Sequence, residues 1–362
     1  MKRVVIFSTA YAPLIGGAEI AVQELTDRLF NFEFVLITAR LKPELPREEM
    51  IGRVKVIRVG NGGRFDKLLL WWTGWKVAEA EGEFAAVWGI MASYGGLAAL
   101  RYKKKNPQVP FLLTLQEGDS FGHIYARAWF IWPWFKQIFT RANQVQAISN
   151  YLANWALTMG VKAPIKVVPN GVKIQAVLKA KSVSEVKRVI TVSRLVEKNG
   201  IEYLIRAMSE MEKKVVLKIL GTGKLENKLK KLISHLNLKD NVVLKGSVSY
   251  QEVYEYLNQA DVFVRPSLTE GLGNSFLEAM AVGVPIIGTR VGGIPDFLED
   301  GVTGWFSETK NPHDLAEKIK YVLDEKNKVS VAQVVKNAQE LVVKKYSWEV
   351  VTEQMKQILN TL

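Results

Sequence analysis

The sequence predicts an α/β protein of two domains, each built on an open and mainly parallel β-sheet. The chain has 362 residues, which is long for a single hydrophobic core. Short apolar segments alternate with helical patterns through both halves, and this alternation is typical of parallel sheets. A turn at 167–172 and a charged stretch at 179–188 interrupt the pattern between the halves. We therefore expect one domain at 1–171 and a second at 172–345.

The first half begins with a strand, a glycine-containing loop and a helix. Residues 4–7 form the predicted strand, and residues 18–29 carry an apolar helical stripe. Gly16 and Gly17 lie between them and let a ligand approach the helix N-terminus, where free N–H groups favour an anion. The pair does not form a G-x-G-x-x-G motif, so a turn that needs positive φ explains it equally well. The further strands predicted in this half are 34–38, 54–59, 85–90, 111–115 and 144–148.

The loop that follows the strand at 111–115 is polar, whereas that strand is apolar. In an open parallel sheet, ligands gather at the carboxyl ends of the strands. Gln116, Glu117, Asp119 and His123 are therefore candidates for contacting a ligand. The same loop is also explained as a helix cap, with Asp119 or Ser120 as the capping residue.

Two tryptophan-rich segments, 68–75 and 129–135, stand out in the first half. Eight of the ten tryptophans lie before residue 160. Clustered aromatic and basic side chains are typical of membrane-surface contacts, and aromatic side chains also form platforms for sugars. Core packing explains any single tryptophan as well. The basic residues near the two segments are Lys67, Lys76, Lys103, Lys104, Lys105, Arg127, Lys136 and Arg141.

The second half repeats the same strand, loop and helix plan. Each predicted strand leads into a loop that contains glycine or basic residues, and these loops should lie at one edge of the sheet. Arg194 and Lys198 follow the first of these strands, four residues apart. Two such cations suit a diphosphate group, although surface cations are commonly only solvated charge. The strands predicted in this half are 189–193, 215–220, 241–245, 260–264 and 284–288.

Two acids eight positions apart, Glu270 and Glu278, follow the strand at 260–264. If the next helix begins near Gly273 or Asn274, Glu278 lies about one turn inside it and Glu270 lies on the loop before it. The helix N-terminus attracts phosphate, and carboxylates accept hydrogen bonds from hydroxyls. The segment therefore suits a nucleotide sugar, although acids also flank such loops without this role.

Composition limits the partners of the chain. The net charge of +13 favours anionic partners, such as nucleotide phosphates, anionic lipid or nucleic acid. With no cysteine, disulfides and thiolate metal sites are excluded, and a cytoplasmic location is expected. Only three histidines are present, so a histidine-rich metal centre is not expected. No apolar window is long enough to span a membrane, and no nucleic-acid-binding motif occurs.

Several of these segments together resemble the retaining glycosyltransferases of the GT-B fold. The resemblance is to the large family that contains the glycosyl- and mannosyltransferases of lipid-linked and surface glycan synthesis. The acid pair in its surroundings is the most specific segment, whereas single glycine pairs are not specific. The matching segments extend over nearly the whole chain: Gly16-Gly17, 168–172, 192–196, 220–223, Glu270 with Glu278, 282–285, Gly292-Gly293 and 300–304.

The resemblance implies two Rossmann-like domains that face each other across a cleft, with the last helix, 346–362, crossing back to the first domain. The first domain would bind the acceptor and the second the nucleotide sugar. The implied reaction moves a hexosyl group from a UDP- or GDP-linked donor to a glycan or lipid-linked acceptor. The anomeric configuration would be kept, and no metal cofactor would be needed. The enzyme would be cytoplasmic, with an anionic membrane surface as a candidate partner.

The resemblance also implies roles for individual residues. Glu278 would bind the nucleotide ribose and Glu270 the hydroxyls of the donor sugar. Arg194 and Lys198 would hold the diphosphate. The remaining donor-binding positions would be Gly16 and Gly17 in the first domain, Val248 near the base, and Gly273, Asn274 and Ser275 beside phosphate or sugar.

The chain departs from the family pattern at two positions. A lysine usually precedes the glycine that matches Gly200, but Asn199 stands here and Lys198 is one position earlier. A histidine commonly stands where this chain has Gln116. Gln116, Glu117 and His123 are therefore candidates on the sugar or acceptor side.

Two other classes of function are compatible with parts of the sequence. One is a sugar-nucleotide epimerase or an NAD enzyme on a similar fold, although the missing G-x-G-x-x-G motif disfavours NAD. The other is a non-catalytic module that binds glycan or nucleic acid, which the basic charge permits.

Overall fold

A computed structural model describes residues 1–14, 16–174 and 185–362 of the chain. The chain divides into two compact units, one of Met1–Gly171 with Trp348–Leu362 and one of Val172–Ser347. Each unit is an α/β structure around a largely parallel sheet, which confirms the fold class that the alternating pattern predicted.

The described residues of the first unit contain an eight-stranded sheet. Its strands are β1 (Lys2–Phe7), β2 (Phe32–Ala39), β3 (Glu48–Ile51), β4 (Val54–Val59), β5 (Ala86–Ile90), β6 (Phe111–Leu115), β7 (Gln144–Ala147) and β8 (Ile165–Val167). Their order is β3-β4-β2-β1-β5-β6-β7-β8, and only β3 pairs antiparallel, with β4. The six strands predicted from apolar runs are all present. The sequence did not predict β3 and β8, because these short edge strands are not buried.

Helices cover this sheet, and the chain returns to it at its end. The helices are α1 (Gly17–Arg28), α2 (Asp66–Ala80), α3 (Tyr94–Lys105), α4 (Phe121–Ala128), α5 (Trp132–Thr140), α6 (Asn150–Thr158) and the last helix α13 (Trp348–Thr361). Trp348, Met355 and Leu359 of α13 are buried in the same apolar cluster as Val22 and Phe34. A Cβ atom on Gly171 would lie 2.4 Å from the Trp348 ring, so only glycine fits at this contact. The last helix therefore belongs to the first unit.

The second unit contains six strands among its described residues, all in parallel pairs. They are β9 (Lys187–Val192), β10 (Val215–Leu220), β11 (Val242–Gly246), β12 (Val262–Val264), β13 (Ile286–Thr289) and β14 (Trp305–Ser307), in the order β11-β10-β9-β12-β13-β14. The helices are α7 (Ile201–Ala207), α8 (Glu226–His235), α9 (Tyr250–Gln259), α10 (Asn274–Ala281), α11 (Pro312–Leu323) and α12 (Lys328–Lys345). From β9 to β11 the successive strands lie on one side of β9, and from β12 onward they lie on its other side, so the strand order reverses between β9 and β12. Parallel α/β sheets bind ligands at such a switch point.

The boundary between the units differs in detail from the expected one. The last helix begins at Trp348 rather than at 346, and Tyr346 remains in the second unit, where its carbonyl oxygen accepts a hydrogen bond from Val172 N–H at 2.8 Å. The predicted charged linker covers 179–188, and its part up to Ser184 lies outside the described residues. Its last two residues, Lys187 and Arg188, are part of β9.

None of the helices in the described part of the chain combines the length and the apolar character that crossing a bilayer requires.

Candidate functional site

The loops after β9 and β12 are joined at the switch point of the second unit. Gly200 has φ +65, and a Cβ atom on it would lie 2.0 Å from the carbonyl oxygen of Pro266. The backbone N–H of Leu268 donates a hydrogen bond of 2.6 Å to the carbonyl oxygen of Lys198. This close approach of two backbones requires glycine at position 200. The loop that carries Lys198 and the loop that carries Glu270 therefore pack directly against each other.

The loop after β13 fixes the backbone of Glu270. Gly293 N–H donates to the Glu270 carbonyl oxygen at 3.1 Å, and a Cβ atom on Gly292, which has φ +55, would lie 1.8 Å from the same oxygen. The Glu270 side chain is largely buried, and its Oε1 accepts a hydrogen bond of 3.2 Å from Gly271 N–H. The loops after β9, β12 and β13 together therefore set the position of this carboxylate.

The helix with the second acid begins where the sequence predicted. Gly273 has φ +97 and precedes α10, which starts at Asn274. A left-handed residue at this place favours glycine. Ser275 and Glu278 are both buried on this helix, with Glu278 one turn inside. The two acids are therefore presented as expected, one on the loop and one in the first turns of the helix.

Glu278 has an unusual electrostatic environment. Burial raises the pKa of its carboxyl group to about 7, and the opposing effects of Arg265 and of a hydrogen bond from Tyr250 only partly offset this. Tyr250 opens α9, the helix after β11. Glu278 is therefore protonated more readily than an exposed glutamate.

Arg265 is the residue that the sequence analysis missed. It follows β12 directly, and its side chain is only 11% exposed. Its Nη2 donates to Glu270 Oε2 at 2.5 Å and to Asn199 Oδ1 at 2.9 Å, and its Nη1 donates to Ser275 Oγ at 3.0 Å. A signal for it exists, because an arginine at the carboxyl end of a fully apolar strand is unusual.

The two cations predicted on the β9 loop differ in exposure. Arg194 is exposed, whereas Lys198 is half-buried. Asn199, next to Lys198, is buried, and its Nδ2 donates a hydrogen bond of 2.7 Å to the carbonyl oxygen of Arg194. Val248, the residue expected near the base, is half-buried on the loop between β11 and α9. These residues all lie on loops at the carboxyl edge of the sheet.

The first unit has its own switch point, between β1 and β5. The loops after these strands meet there, because the Oγ atoms of Thr9 and Ser93 are 3.0 Å apart and Gly95 N–H donates to the Thr9 hydroxyl at 3.1 Å. Gly16 and Gly17 lie exposed at the start of α1. The structure thus brings the predicted glycine pair to a helix N-terminus at the carboxyl edge of this sheet.

The candidate site residues on the loop after β6 lie in different environments. Glu117 is buried, and its Oε1 accepts a hydrogen bond of 2.5 Å from Ala92 N–H. Burial raises its pKa to about 7 against the opposing effect of backbone hydrogen bonds, the largest from Ala92. Gln116 is half-buried and its Oε1 accepts from Asn170 Nδ2 at 3.3 Å. Glu117 therefore supports the loop, while Gln116 lies nearer the surface.

The other part of this loop caps α4. Ser120 Oγ accepts a hydrogen bond of 3.4 Å from His123 N–H, as the capping interpretation predicted, and the His123 side chain is exposed. Within the described ranges, no group of three or more His, Asp or Glu side chains is arranged to hold a metal ion.

Two family models divide the chain between them. The model described as Glycosyltransferase Family 4 matches residues 15–176, and the model described as Glycosyl transferases group 1 matches residues 175–340. The chain belongs to the glycosyltransferases. Lys198, Arg265, Glu270 and Glu278 all lie within the second matched region of this glycosyltransferase.

Curated relatives agree with this assignment, and a solved structure has the same fold. An uncharacterized glycosyltransferase of Methanocaldococcus jannaschii is 28% identical over 352 residues, which cover 95% of this chain and 94% of that protein. An amylovoran biosynthesis glycosyltransferase of Erwinia amylovora is 28% identical over 342 residues, 90% of this chain and 82% of that protein. The structure of Anabaena HepE in complex with UDP and glucose matches with a TM-score of 0.82 over 100% of both chains, at 19% identity. This glycosyltransferase thus has the fold of the GT-B enzymes.

Proposed function

We propose that the protein is a retaining glycosyltransferase that moves a hexosyl group from a UDP- or GDP-linked sugar to a glycan or lipid-linked acceptor. The observation that carries the proposal is the placement of Glu270 and Glu278 around the mouth of α10, at the switch point of the second sheet. The complex of HepE with UDP and glucose, on the same fold, supports a nucleotide sugar as donor.

The donor-binding roles follow from the chemistry of the side chains. Glu278, on the helix, accepts hydrogen bonds from the ribose hydroxyls, and Glu270, on the loop, accepts them from the sugar hydroxyls. Both carboxylates gain from binding, because sugar hydroxyls offer donors to oxygens that are otherwise buried. The first N–H groups of α10, at Asn274 and Ser275, and the positive end of the helix favour phosphate nearby.

The leaving group is stabilised by cations of the chain. The bond between the anomeric carbon and the β-phosphate oxygen breaks, and a bond to the acceptor oxygen forms on the same face of the sugar. The acceptor proton passes to the departing diphosphate, which Arg194 and Lys198 neutralise. Preorganised charge of this kind commonly supplies the largest share of catalysis. Protein cations thus carry the role that a metal has in other transferases, so we propose that no metal is required.

The first unit supplies the acceptor side. Gln116 and His123 are the residues of the β6 loop that offer polar atoms near the surface, whereas Glu117 holds this loop to Ala92 from within. Gly16 and Gly17 lie at the start of α1, where Gly16 N–H donates a hydrogen bond of 2.8 Å to the Glu19 carboxylate, so a donor phosphate would displace this carboxylate to reach the helix N-terminus.

We also propose that the enzyme works at the cytoplasmic face of a membrane. The two tryptophan-rich segments meet, because the rings of Trp71 on α2 and Trp134 on α5 pack edge to face with centroids 6.2 Å apart. Trp72 is 54% exposed and Trp129 is 74% exposed, so this is not a buried core. Exposed aromatic side chains of this kind favour the interface of a bilayer.

Cationic side chains border these tryptophans, and they match an anionic headgroup layer. Arg101 lies over the Trp72 ring at 4.4 Å, and Lys105 lies over Trp75 at 5.2 Å. The pKa of Lys104 is lowered mainly by burial and, to a smaller extent, by the neighbouring charges of Arg141 and Arg101. Anionic lipid would relieve this repulsion.

A ligand panel followed by product analysis tests the proposed activity. A nucleotide sugar that binds only the folded protein raises its melting temperature, so UDP-glucose, UDP-N-acetylglucosamine and GDP-mannose are compared with UDP and GDP. We expect one of these sugars to give the largest shift, and transfer to keep the anomeric configuration when the product is examined by NMR. Transfer should persist in EDTA. Inverted configuration, or donor binding without transfer to any glycan or lipid-linked acceptor, would contradict the proposal.

A further inference from the structure

The guanidinium of Arg265 is nearly buried and joins three separate elements. Its partners are Glu270 on the β12 loop, Ser275 in the first turn of α10 and Asn199 on the β9 loop. Taking a charge out of water is costly unless a well-placed opposite charge compensates it. The Glu270 carboxylate is the acid that Arg265 contacts directly, so the two charges depend on each other.

Asn199 extends this network to the loop of Arg194. Its side-chain oxygen accepts from Arg265 at 2.9 Å, and its side-chain nitrogen donates to the Arg194 carbonyl oxygen at 2.7 Å. The amide therefore links Arg265 to the backbone of a proposed diphosphate-binding residue. The contact also gives a physical reason for asparagine at 199, because a lysine there would face the guanidinium of Arg265 with like charge.

We infer that Arg265 is a positioning residue of the donor site, which orients Glu270 for the sugar hydroxyls while Asn199 relays its position to the Arg194 loop. This inference rests on the proposed function, because it assumes that Glu270 contacts the donor sugar. Arg265 Nη2 holds one carboxylate oxygen and Gly271 N–H approaches the other, so the carboxylate plane is fixed. Arg265 thereby acts through Glu270 rather than through the nucleotide.

The geometry predicts that a lysine at position 199, on the β9 loop, can place a cation beside Glu270. The Nη2 atom that contacts Glu270 lies 2.9 Å from the Asn199 side-chain oxygen. A lysine at 199 is longer than asparagine by about this distance, so its ammonium can reach the place of Nη2 once the guanidinium is removed. The variants are therefore Arg265→Met, Asn199→Lys and the double variant with both substitutions.

The experiment measures transfer and two affinities for each variant. For Arg265→Met we expect kcat/KM to fall about 100-fold, which is typical of losing one preorganised polar group. Its affinity for the nucleotide sugar that shifts the wild type should fall by more than its affinity for the matching UDP or GDP, because Arg265 contacts Glu270 directly but reaches the nucleotide side only through Asn199 and the Arg194 loop. The double variant should recover to within about tenfold of the wild type. Asn199→Lys alone should lower activity, since it places two cations together.

The outcomes separate the inference from the proposed function. A double variant as inactive as Arg265→Met, or an equal loss of affinity for UDP or GDP and for the nucleotide sugar, would overturn the positioning role. If Arg265→Met does not fold, the double variant still decides, because it supplies a cation to Glu270 from position 199. A wild type that binds no nucleotide sugar would instead overturn the proposed function, and this inference with it.

Discussion

The backbone N–H of Gly293 donates a hydrogen bond of 3.1 Å to the carbonyl oxygen of Glu270. This bond is formed because Gly292, with φ +55, lets the two backbones approach closely. A Cβ atom at 292 would lie 1.8 Å from the same oxygen, and no side-chain rotation can relieve a contact with backbone. The β13 loop therefore holds the proposed sugar-binding carboxylate in place.

We predict that Gly292→Ala destabilises the second unit and weakens binding of the donor. Gly301→Ala is the matched control, since Gly301 also has positive φ, at +70, but an added Cβ would meet nothing within 4 Å. Both variants lose the conformational freedom of glycine, and Gly292→Ala should cost about 2 kcal/mol more because the backbones must separate. Thermal unfolding with and without the nucleotide sugar measures both effects. Equal melting temperatures for the two variants would show that the contact is not needed.

The buried carboxyl group of Glu117 predicts a pH dependence of stability. Its pKa in the folded protein is raised to about 7 by burial, against an ordinary value of 4.5. Between these values the folded state binds more protons than the unfolded state, so this group makes the protein less stable as the pH rises from 4.5 to 7. Above pH 7 the loss is complete, and it amounts to about 3 kcal/mol at most.

Glu117→Gln should therefore gain melting temperature relative to the wild type as the pH rises from 5 to 8. Glutamine keeps an oxygen for the Ala92 N–H but carries no titrating proton. Glu44→Gln is the control, because Glu44 is exposed and its ion pair with Lys42 is on the surface. A pH profile for Glu117→Gln that runs parallel to that of the wild type would contradict the buried-charge explanation.

The sequence predicted the strands and the start of α10 well, because these depend on local pattern. Apolar runs identified every fully buried strand except β14, and Gly273 marked the beginning of the helix that presents Glu278. The edge strand β3 was missed because half of its residues face solvent, so it has no apolar run. The predicted ranges of β2 and β9 were also shorter than these strands are in the structure.

The network around Arg265 could not be predicted from local pattern. Its partners Asn199 and Glu270 come from different loops, and their contact depends on the order of the strands in the sheet. The same holds for the contact of Trp71 with Trp134, which are 63 positions apart in the sequence. For Trp88, Trp155 and Trp348, core packing was the right interpretation, since all three are fully buried.

The exposed tryptophans predict binding to anionic vesicles. Replacing Trp72 and Trp134 by serine should weaken binding to vesicles that contain phosphatidylglycerol about tenfold or more, because each aromatic side chain loses its burial at the interface. Stability should change little, as both side chains are about half exposed. Binding should also weaken in high salt, because the contribution of Arg101 and Lys105 is screened.

Sedimentation with vesicles measures this, with Val329→Ser as the control for an exposed apolar residue elsewhere, since Val329 is 86% exposed on the second unit. Vesicles of phosphatidylcholine alone should bind the wild type more weakly. If the wild type does not bind anionic vesicles, or if the tryptophan variant binds them equally well, the proposal that the enzyme works at a membrane is wrong.

A calorimetric titration of the Glu270→Gln and Glu278→Gln variants with the nucleotide sugar and with its nucleoside diphosphate tests directly whether the two glutamates bind the donor. We expect Glu278→Gln to weaken the binding of both ligands about tenfold or more, because the ribose is common to them. Glu270→Gln should weaken only the nucleotide sugar and leave the nucleoside diphosphate at wild-type affinity. If both folded variants bind both ligands as tightly as the wild type, the two glutamates do not bind the donor.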